Sequence, residues 1–434
     1  MTTQSPTKIR WLLIGWLFVL SAVAFLDRVN LSVAGTRLAA DYHLTDVQFG
    51  LLSTVFLLGY AFLQTPAGWL ADRWGPRSVL AGGVVWWGIF TALTAAVPTG
   101  LRNPLLFLLL ARFLLGAGEA VMYPTANQFV ARWIPSQERG LANGIIFAGV
   151  GVGSAVSPSL VTYIMIHHGW RSSFWICAVI GLAAGLVWYL ASRNTPEEHP
   201  LVSPSELALI RSGLTLGIQS SGAGQAPTAA VPWGKILRHR DVWAITLSYF
   251  SYVYVAWIFF AWFFIYLARV RGMNLRTSAF YATLPFVAMA LGCPLGGLVG
   301  DFLTKRVSRR VGRCGVAVFG LALTAIFLAF GSWVDSAPLA SVILAGGAGA
   351  LYISQSSFWA ISADIAGPFS GSVSGFMNMG GQLGGAVTAS LTPYIAARAG
   401  WSASFFAAAA LAALGSLAWL FVDPNRPLVP TAVP

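Results

Sequence analysis

Gly169-Trp170-Arg171-Ser172-Ser173-Phe174 returns 231 positions later as Gly400-Trp401-Ser402-Ala403-Ser404-Phe405, and this recurrence decides how the chain is divided. At the same offset Gly140, Gly144, Gly149 and Gly153 recur as Gly371, Gly375, Gly380 and Gly384. Glycine-rich composition alone would produce some matches. Eight at one offset within 35 residues, a tryptophan among them, exceed what chance supplies. A further echo pairs Gly68-x-x-x-Asp72 with Gly297-x-x-x-Asp301. The chain therefore reads as two related halves.

Composition says what the halves are made of. Hydrophobic residues make up 57% of the 434 positions and charged residues only 9%, far below the quarter or so of a soluble globule. A spanning helix needs about 20 mostly apolar residues. Such runs are expected at 11–36, 47–71, 78–98, 104–131, 138–167, 170–191, 241–268, 277–303, 311–334, 338–363, 369–397 and 401–421. Between the sixth and seventh lies a polar stretch, 192–240, with a Ser/Gly/Ala-rich portion from Ser220 to Ala230 and room for a short surface helix at Ser205 to Leu214. The expected fold is an all-α membrane protein of twelve transmembrane helices in two pseudo-symmetric six-helix halves, 1–191 and 241–434, joined by a cytoplasmic linker at 192–240. Duplicated halves put a binding site at their interface, near the bilayer midplane.

The basic residues orient this bundle. Of 26 Lys and Arg, 17 fall in alternate loops on one side: Lys8/Arg10, Arg73/Arg77, Arg132/Arg139, Arg193 through Arg240, Lys305 through Arg313, and Arg426. Seven fall in the intervening loops. Cytoplasmic loops hold the basic excess, so both termini and the linker are expected inside. The same rule accounts for the net charge of +12 without nucleic acid. Trp11 to Leu26 follows Lys8 and Arg10 without a small-residue cleavage site and reads as the first span. Cys177, Cys293 and Cys314 have no paired spacing, and the five histidines fall in loops or at helix ends. No nucleotide loop, nucleophile triad or Cys/His cluster is visible, so neither an enzyme, a cofactor nor a metal is expected.

The segment Gly68-Trp69-Leu70-Ala71-Asp72-Arg73-Trp74-Gly75-Pro76-Arg77 matches completely the G-x-x-x-D-R-x-G-x-R signature of the major facilitator superfamily, which the chain resembles over nearly its whole length. More narrowly, Phe25-Leu26-Asp27-Arg28-Val29-Asn30 resembles the first helix of the anion:cation symporter family. Arg112-Phe113-Leu114-Leu115-Gly116-Ala117-Gly118-Glu119, running on to Tyr123-Pro124, resembles its fourth. That family carries galactonate, glucarate, hexuronates, glutamate and sialic acid. Two positions depart from its sugar-acid carriers: Phe25 stands where a tyrosine is common, and Val150 where the galactonate carrier has a glutamine. The resemblance implies a conformational latch of Gly68, Asp72, Arg73, Arg77 and Asp301 on the cytoplasmic side; the plainer reading makes these charges topology determinants.

Four charges inside spans carry the chemistry. At about 2.5–3.5 kcal/mol each on insertion scales, Asp27, Arg28, Arg112 and Glu119 demand pairing or hydration. Arg112 and Glu119 are two turns apart and share a helix face; adjacent Asp27 and Arg28 point about 100° apart, so at least one of them faces the cavity. Two cations and two carboxylates sum to zero, and an entering carboxylate is neutralised if one carboxylate takes a proton. Arg28 is thus the candidate for the substrate's charge, with Asp27, Arg112 and Glu119 coupling protons. The rival is a structural ion-pair network between helices one and four.

Tyr60, Gln64, Asn378 and Gln382 are the candidate ligands for substrate hydroxyls, with Tyr249, Tyr252 and Gln355 behind them. The competing role is interhelical hydrogen bonding, worth about 0.6 kcal/mol each. The function expected is import of a small organic anion, a sugar acid such as an aldonate, aldarate or hexuronate, by proton symport. The carrier is expected to work as a monomer in a bacterial inner membrane, with the lipid bilayer, protons and substrate as its partners. The alternatives are a proton-coupled exporter or anion exchanger, and, from another class, a membrane sensor.

Overall fold

A computed structural model describes residues 6–214 and 231–428, which are helices and short connections without a strand among the described residues. Ser220 to Ala230 of the expected linker lies outside the described residues. The first part comprises α1 (Ile9–Asp41), α2 (Asp46–Trp74), α3 (Pro76–Ala96), α4 (Pro104–Trp133), α5 (Ser136–His168) and α6 (Trp170–Ala191). The second comprises α7 (Arg240–Val270), α8 (Leu275–Arg306) and α9 (Arg310–Trp333). It ends in an 85-residue apolar segment, Ala337–Phe421. That segment holds α10 (Ala337–Ala366) and a rod, Ser370–Ala418, broken at Gly400 into α11 (370–399) and α12 (401–418).

Gly400 makes its break at φ 83° and ψ 163°, and its counterpart Gly169 turns the chain at φ 80° and ψ 163°. This region is open to glycine and costly for any other residue. The repeated hexapeptide thus builds the same corner twice.

Helix boundaries follow from local chemistry. The expected end of the first helix at 36 is exceeded because α1 continues to Asp41, whose carboxylate accepts hydrogen bonds from Trp170 Nε1 and Arg171 Nη1, both at 2.9 Å. Within α4 the regular helix is interrupted at Ala120 and Val121. Pro124 lies four residues beyond Ala120 and can neither donate to its carbonyl nor pass it without a clash. Where Ser205 to Leu214 suggested a surface helix, Pro204–Gly213 is helical. Its fully buried Glu206 accepts from the Thr7 hydroxyl at 2.6 Å and from the backbone N–H groups of Ile9 and Arg10 at 3.2 Å, capping the start of α1. Outward-facing leucines and phenylalanines such as Leu106, Phe107 and Leu110 on α4 form a lipid-facing surface.

At one end of the bundle the two glycine echoes become contacts. A Cβ at Gly68 would lie 1.9 Å from the Gly371 carbonyl oxygen, and one at Gly297 would lie 2.2 Å from that of Gly140. Helices α2 and α11, and likewise α8 and α5, meet backbone to backbone there, which requires glycine. Gly68→Val should therefore prevent closure at this end. We expect roughly tenfold or faster hydrogen exchange in the peptide 370–375, equivalent to about 1.4 kcal/mol of lost closure. Mass spectrometry of the purified variant measures it, and exchange at the wild-type rate would show that this contact does not hold the end shut.

Candidate functional site

The four in-span charges assemble between α1 and α4; Arg28 and Arg112 line a cavity of about 440 Å³, and Asp27 and Glu119 are buried beside them. Arg28 Nε donates to Glu119 Oε2 at 2.7 Å, and Glu119 is fully buried while the Arg28 side chain keeps 18% exposure. Three rings surround that guanidinium: Tyr60 at 4.2 Å, Phe25 at 4.8 Å and Phe56 at 5.5 Å from its carbon to their centroids. Rings stabilise a cation through their negative faces and pin it in place. Arg28 Nη2 and Glu119 Oε1 remain without hydrogen-bond partners, so the pair retains capacity for another group.

Of the adjacent charges at 27 and 28, Arg28 lines the cavity and Asp27 is buried behind it, with neither carboxylate oxygen hydrogen-bonded. Glu119, Arg112, Thr91 and Arg28 make up the electrostatic surroundings of Asp27. Arg112 sits 4.8 Å from the Phe56 ring with Nε and Nη1 unpaired. Helical spacing suggested an Arg112–Glu119 grouping on one face of α4. The direct bond instead crosses helices, to Arg28.

The polar candidates divide. Tyr60, Asn378 and Gln382 line the cavity, as do Tyr249, Tyr252 and Gln355. Gln64 does not: it is fully buried, and its Oε1 accepts from Asn378 Nδ2 at 2.9 Å, tying α2 to α11. Gln382 Nε2 extends the chain to Asn378 Oδ1 at 3.4 Å. Phe25 and Val150, the two departures noted in the sequence, both stand in the cavity wall. Ser32 and Ser53 line it as well. Ser53 precedes Asp72 on α2 by nearly 30 Å of helix at about 1.5 Å per residue, so the cavity lies on the side away from Asp72.

At the opposite end, Asp72 accepts from the N–H groups of Gly371 at 2.9 Å and Ser372 at 2.8 Å. Asp301 accepts from Gly140 at 3.0 Å and Leu141 at 2.7 Å. Each carboxylate satisfies orphan donors in the first turn of a helix and meets the positive end of its dipole. Because 140 and 371 are repeat counterparts, the two contacts are equivalent and run in opposite directions between the halves. Arg73 and Arg77 do not take part. Arg73 lies over Trp69, and Arg77 binds the Tyr189 carbonyl at 2.9 Å and stacks on that ring within its own half.

Arg139 and Arg313, which entered the sequence analysis only as topology signals, complete this end with Asp364, which the sequence did not single out. Arg139 Nη1 meets Asp364 Oδ1 at 2.7 Å, and Arg313 bridges Asp364 Oδ2 at 3.3 Å and Asp301 Oδ1 at 2.7 Å. All four side chains are buried. The repeat offset pairs none of Arg139, Arg313 and Asp364 with a like charge, so it carried no signal for them. No group of three or more His, Cys, Asp or Glu is placed to hold a metal among the described residues.

The family model described as Major Facilitator Superfamily matches residues 17–386 and 295–433. Among curated proteins, the "Probable sulfoacetate transporter SauU" of Cupriavidus necator is 32% identical over 96% of this chain and 94% of its own. The hexuronate transporter of Bacillus subtilis is 28% identical over 94% of both chains. Among solved structures, the proton:xylose symporter XylE gives a TM-score of 0.72 at 15% identity, covering 96% of each chain. The Escherichia coli fucose:proton symporter FucP gives 0.69 at 18%, covering 95% of this chain and 98% of its own. At those identities the solved structures speak to the fold alone.

The Asp72 geometry makes a kinetic prediction. Asp72→Asn keeps the shape but removes the charge, and hydrogen bonds to charged groups are worth about 1.5–3 kcal/mol. Maximal uptake should fall roughly tenfold or more, with substrate affinity changed by less than about twofold. Binding and initial uptake measured on one preparation separate the two. A large affinity loss at unchanged maximal rate would place Asp72 in substrate binding instead.

Proposed function

The chain belongs to the major facilitator superfamily and is a multi-pass membrane transporter rather than an enzyme; from that premise we propose that it imports a small organic anion, a sugar acid, together with protons by alternating access. In this reading it is a twelve-helix carrier of a bacterial inner membrane, with 337–421 counted as three spans. Both termini and the Asp72 end are cytoplasmic, because the basic loops gather there. The structure then represents an outward-facing state with the cytoplasmic side shut.

The observation that carries the reading is the Arg28–Glu119 pair, whose arginine lines the cavity while its carboxylate is buried behind. A guanidinium with a free nitrogen is suited to bind a carboxylate, and Arg does so bidentately where Lys cannot. The entering carboxylate competes with Glu119 for Arg28. Displaced and buried, Glu119 loses the partner that stabilises its charge and is relieved by taking a proton. Substrate and proton are then bound together, and the buried set of Asp27, Arg28, Arg112 and Glu119 carries no uncompensated charge during the transition. Release inside reverses both steps.

A second reading, import of a short sulfonated carboxylate, draws on the relative from Cupriavidus necator and on the apolar Phe25 and Val150 in the wall.

Two experiments test the proposal. Arg28→Ala should abolish uptake with the protein still in the membrane, because truncating one partner of a buried charge contact costs about 2–5 kcal/mol. Arg28→Lys should transport poorly as well. Uptake at the wild-type rate in Arg28→Ala would refute the assignment. Glu119→Gln, a mimic of the protonated form, should bind and exchange substrate in proteoliposomes yet fail to accumulate it under an inward proton gradient. Normal accumulation in both Glu119→Gln and Asp27→Asn would place coupling elsewhere.

A further inference from the structure

Across the cavity from Arg28, the wall formed by α7 and α10 contains three buried polar side chains with bonding capacity left over. Tyr252, Tyr352 and Gln355 all line the cavity and are 3%, 0% and 2% exposed. Neither phenol oxygen has a hydrogen-bond partner, and Gln355 Oε1 has none either. Buried polar groups are nearly always satisfied, so three unsatisfied ones on a single cavity wall require an explanation.

Their neighbour Tyr249 shows the contrast. Its hydroxyl accepts from Gln355 Nε2 at 3.2 Å and from Trp359 Nε1 at 3.3 Å, and its ring stacks on Tyr252 at 5.3 Å with only 4° between the planes. Tyr249 braces the wall. Tyr252 and Tyr352 stand edge to face at 6.4 Å and are held by packing alone, their hydroxyls uncommitted.

The charge of the wall narrows what could satisfy them. Arg28 and Arg112 are the charged residues lining the cavity, and both belong to the α1 and α4 side. A second carboxylate or a sulfonate at the α7–α10 wall would be desolvated without a cation to meet it. Substrate hydroxyls suit the wall better, since each can donate and accept, as two phenols and one free amide end require.

We propose that Tyr252, Tyr352 and Gln355 form a second recognition subsite, which binds the uncharged, hydroxylated end of a monoanion whose carboxylate lies at Arg28. This rests on the anion reading above and narrows it to singly charged sugar acids, aldonates or hexuronates, excluding aldarates and short sulfonated carboxylates as preferred substrates.

The test is binding to the purified full-length protein by isothermal titration, using D-gluconate, D-galactonate, D-glucuronate, D-glucarate and sulfoacetate. Wild type should bind at least one singly charged sugar acid more tightly than glucarate and sulfoacetate. Tyr252→Phe and Tyr352→Phe remove one oxygen each and keep the ring, and unchanged thermal unfolding confirms that the fold is retained. Each should weaken the sugar acid roughly five- to tenfold, equivalent to about 1–1.4 kcal/mol, and change sulfoacetate by less than about twofold. The subsite is wrong if both variants bind the sugar acid as wild type does while Arg28→Ala loses it; the anion reading then survives alone. Undiminished binding in Arg28→Ala would instead sink the anion reading. A wild type that prefers the dianions, or binds no singly charged sugar acid, overturns the subsite.

Discussion

A charge inside a bilayer must be paired, hydrated or neutralised, and that constraint organises this molecule. Arg28 and Glu119 are the clearest case: placed on different helices, they form one 2.7 Å contact that fixes α1 against α4. Removing one member of such a buried pair costs about 3–5 kcal/mol, because the survivor remains buried and uncompensated. The same cost makes the pair useful. In the proposed mechanism an anion replaces Glu119 at Arg28, and a proton cancels the charge of Glu119.

The distant end of the bundle solves a related problem with backbone instead of side chains. Asp72 and Asp301 are buried carboxylates whose partners are helix N-termini from the other half of the chain. These contacts are available when the halves approach closely enough for Gly68 to meet Gly371 and Gly297 to meet Gly140. Separation of the halves would strand Asp72 and four N–H groups at once and leave Asp301 with Arg313 alone, until water enters to solvate them. The two capping contacts and the Arg139–Asp364 bridge all cross between the halves and would be lost together, while the Arg313 bonds to Asp301 and Asp364 lie within the second half.

Much of this was legible in the sequence, and the reasons differ by residue. The helix breaks expected between 167 and 170 and between 397 and 401 fall at Gly169 and Gly400, whose backbone favours glycine. Arg28 and Glu119 were conspicuous because charge is rare in an apolar run. Their mutual bond was not legible, since spacing along α4 speaks only of neighbours on one helix. Gln64 looked like a ligand and instead ties two helices, a difference set by side-chain direction. Arg139, Arg313 and Asp364 were hidden for the opposite reason: charges at helix ends are ordinary, and only the fold brings them together. Arg77 shows the converse, a signature residue whose contact lies within its own half.

The central claim is that an anion displaces Glu119 from one arginine and that Glu119 takes up a proton as it does so. Its most direct test is the proton count on binding, measured with a pH indicator in weakly buffered solution as the wild-type protein is titrated with a substrate sugar acid. The account predicts uptake of close to one proton per substrate bound at neutral pH, abolished when Glu119 is replaced by glutamine. Saturable substrate binding with no proton taken up would contradict it.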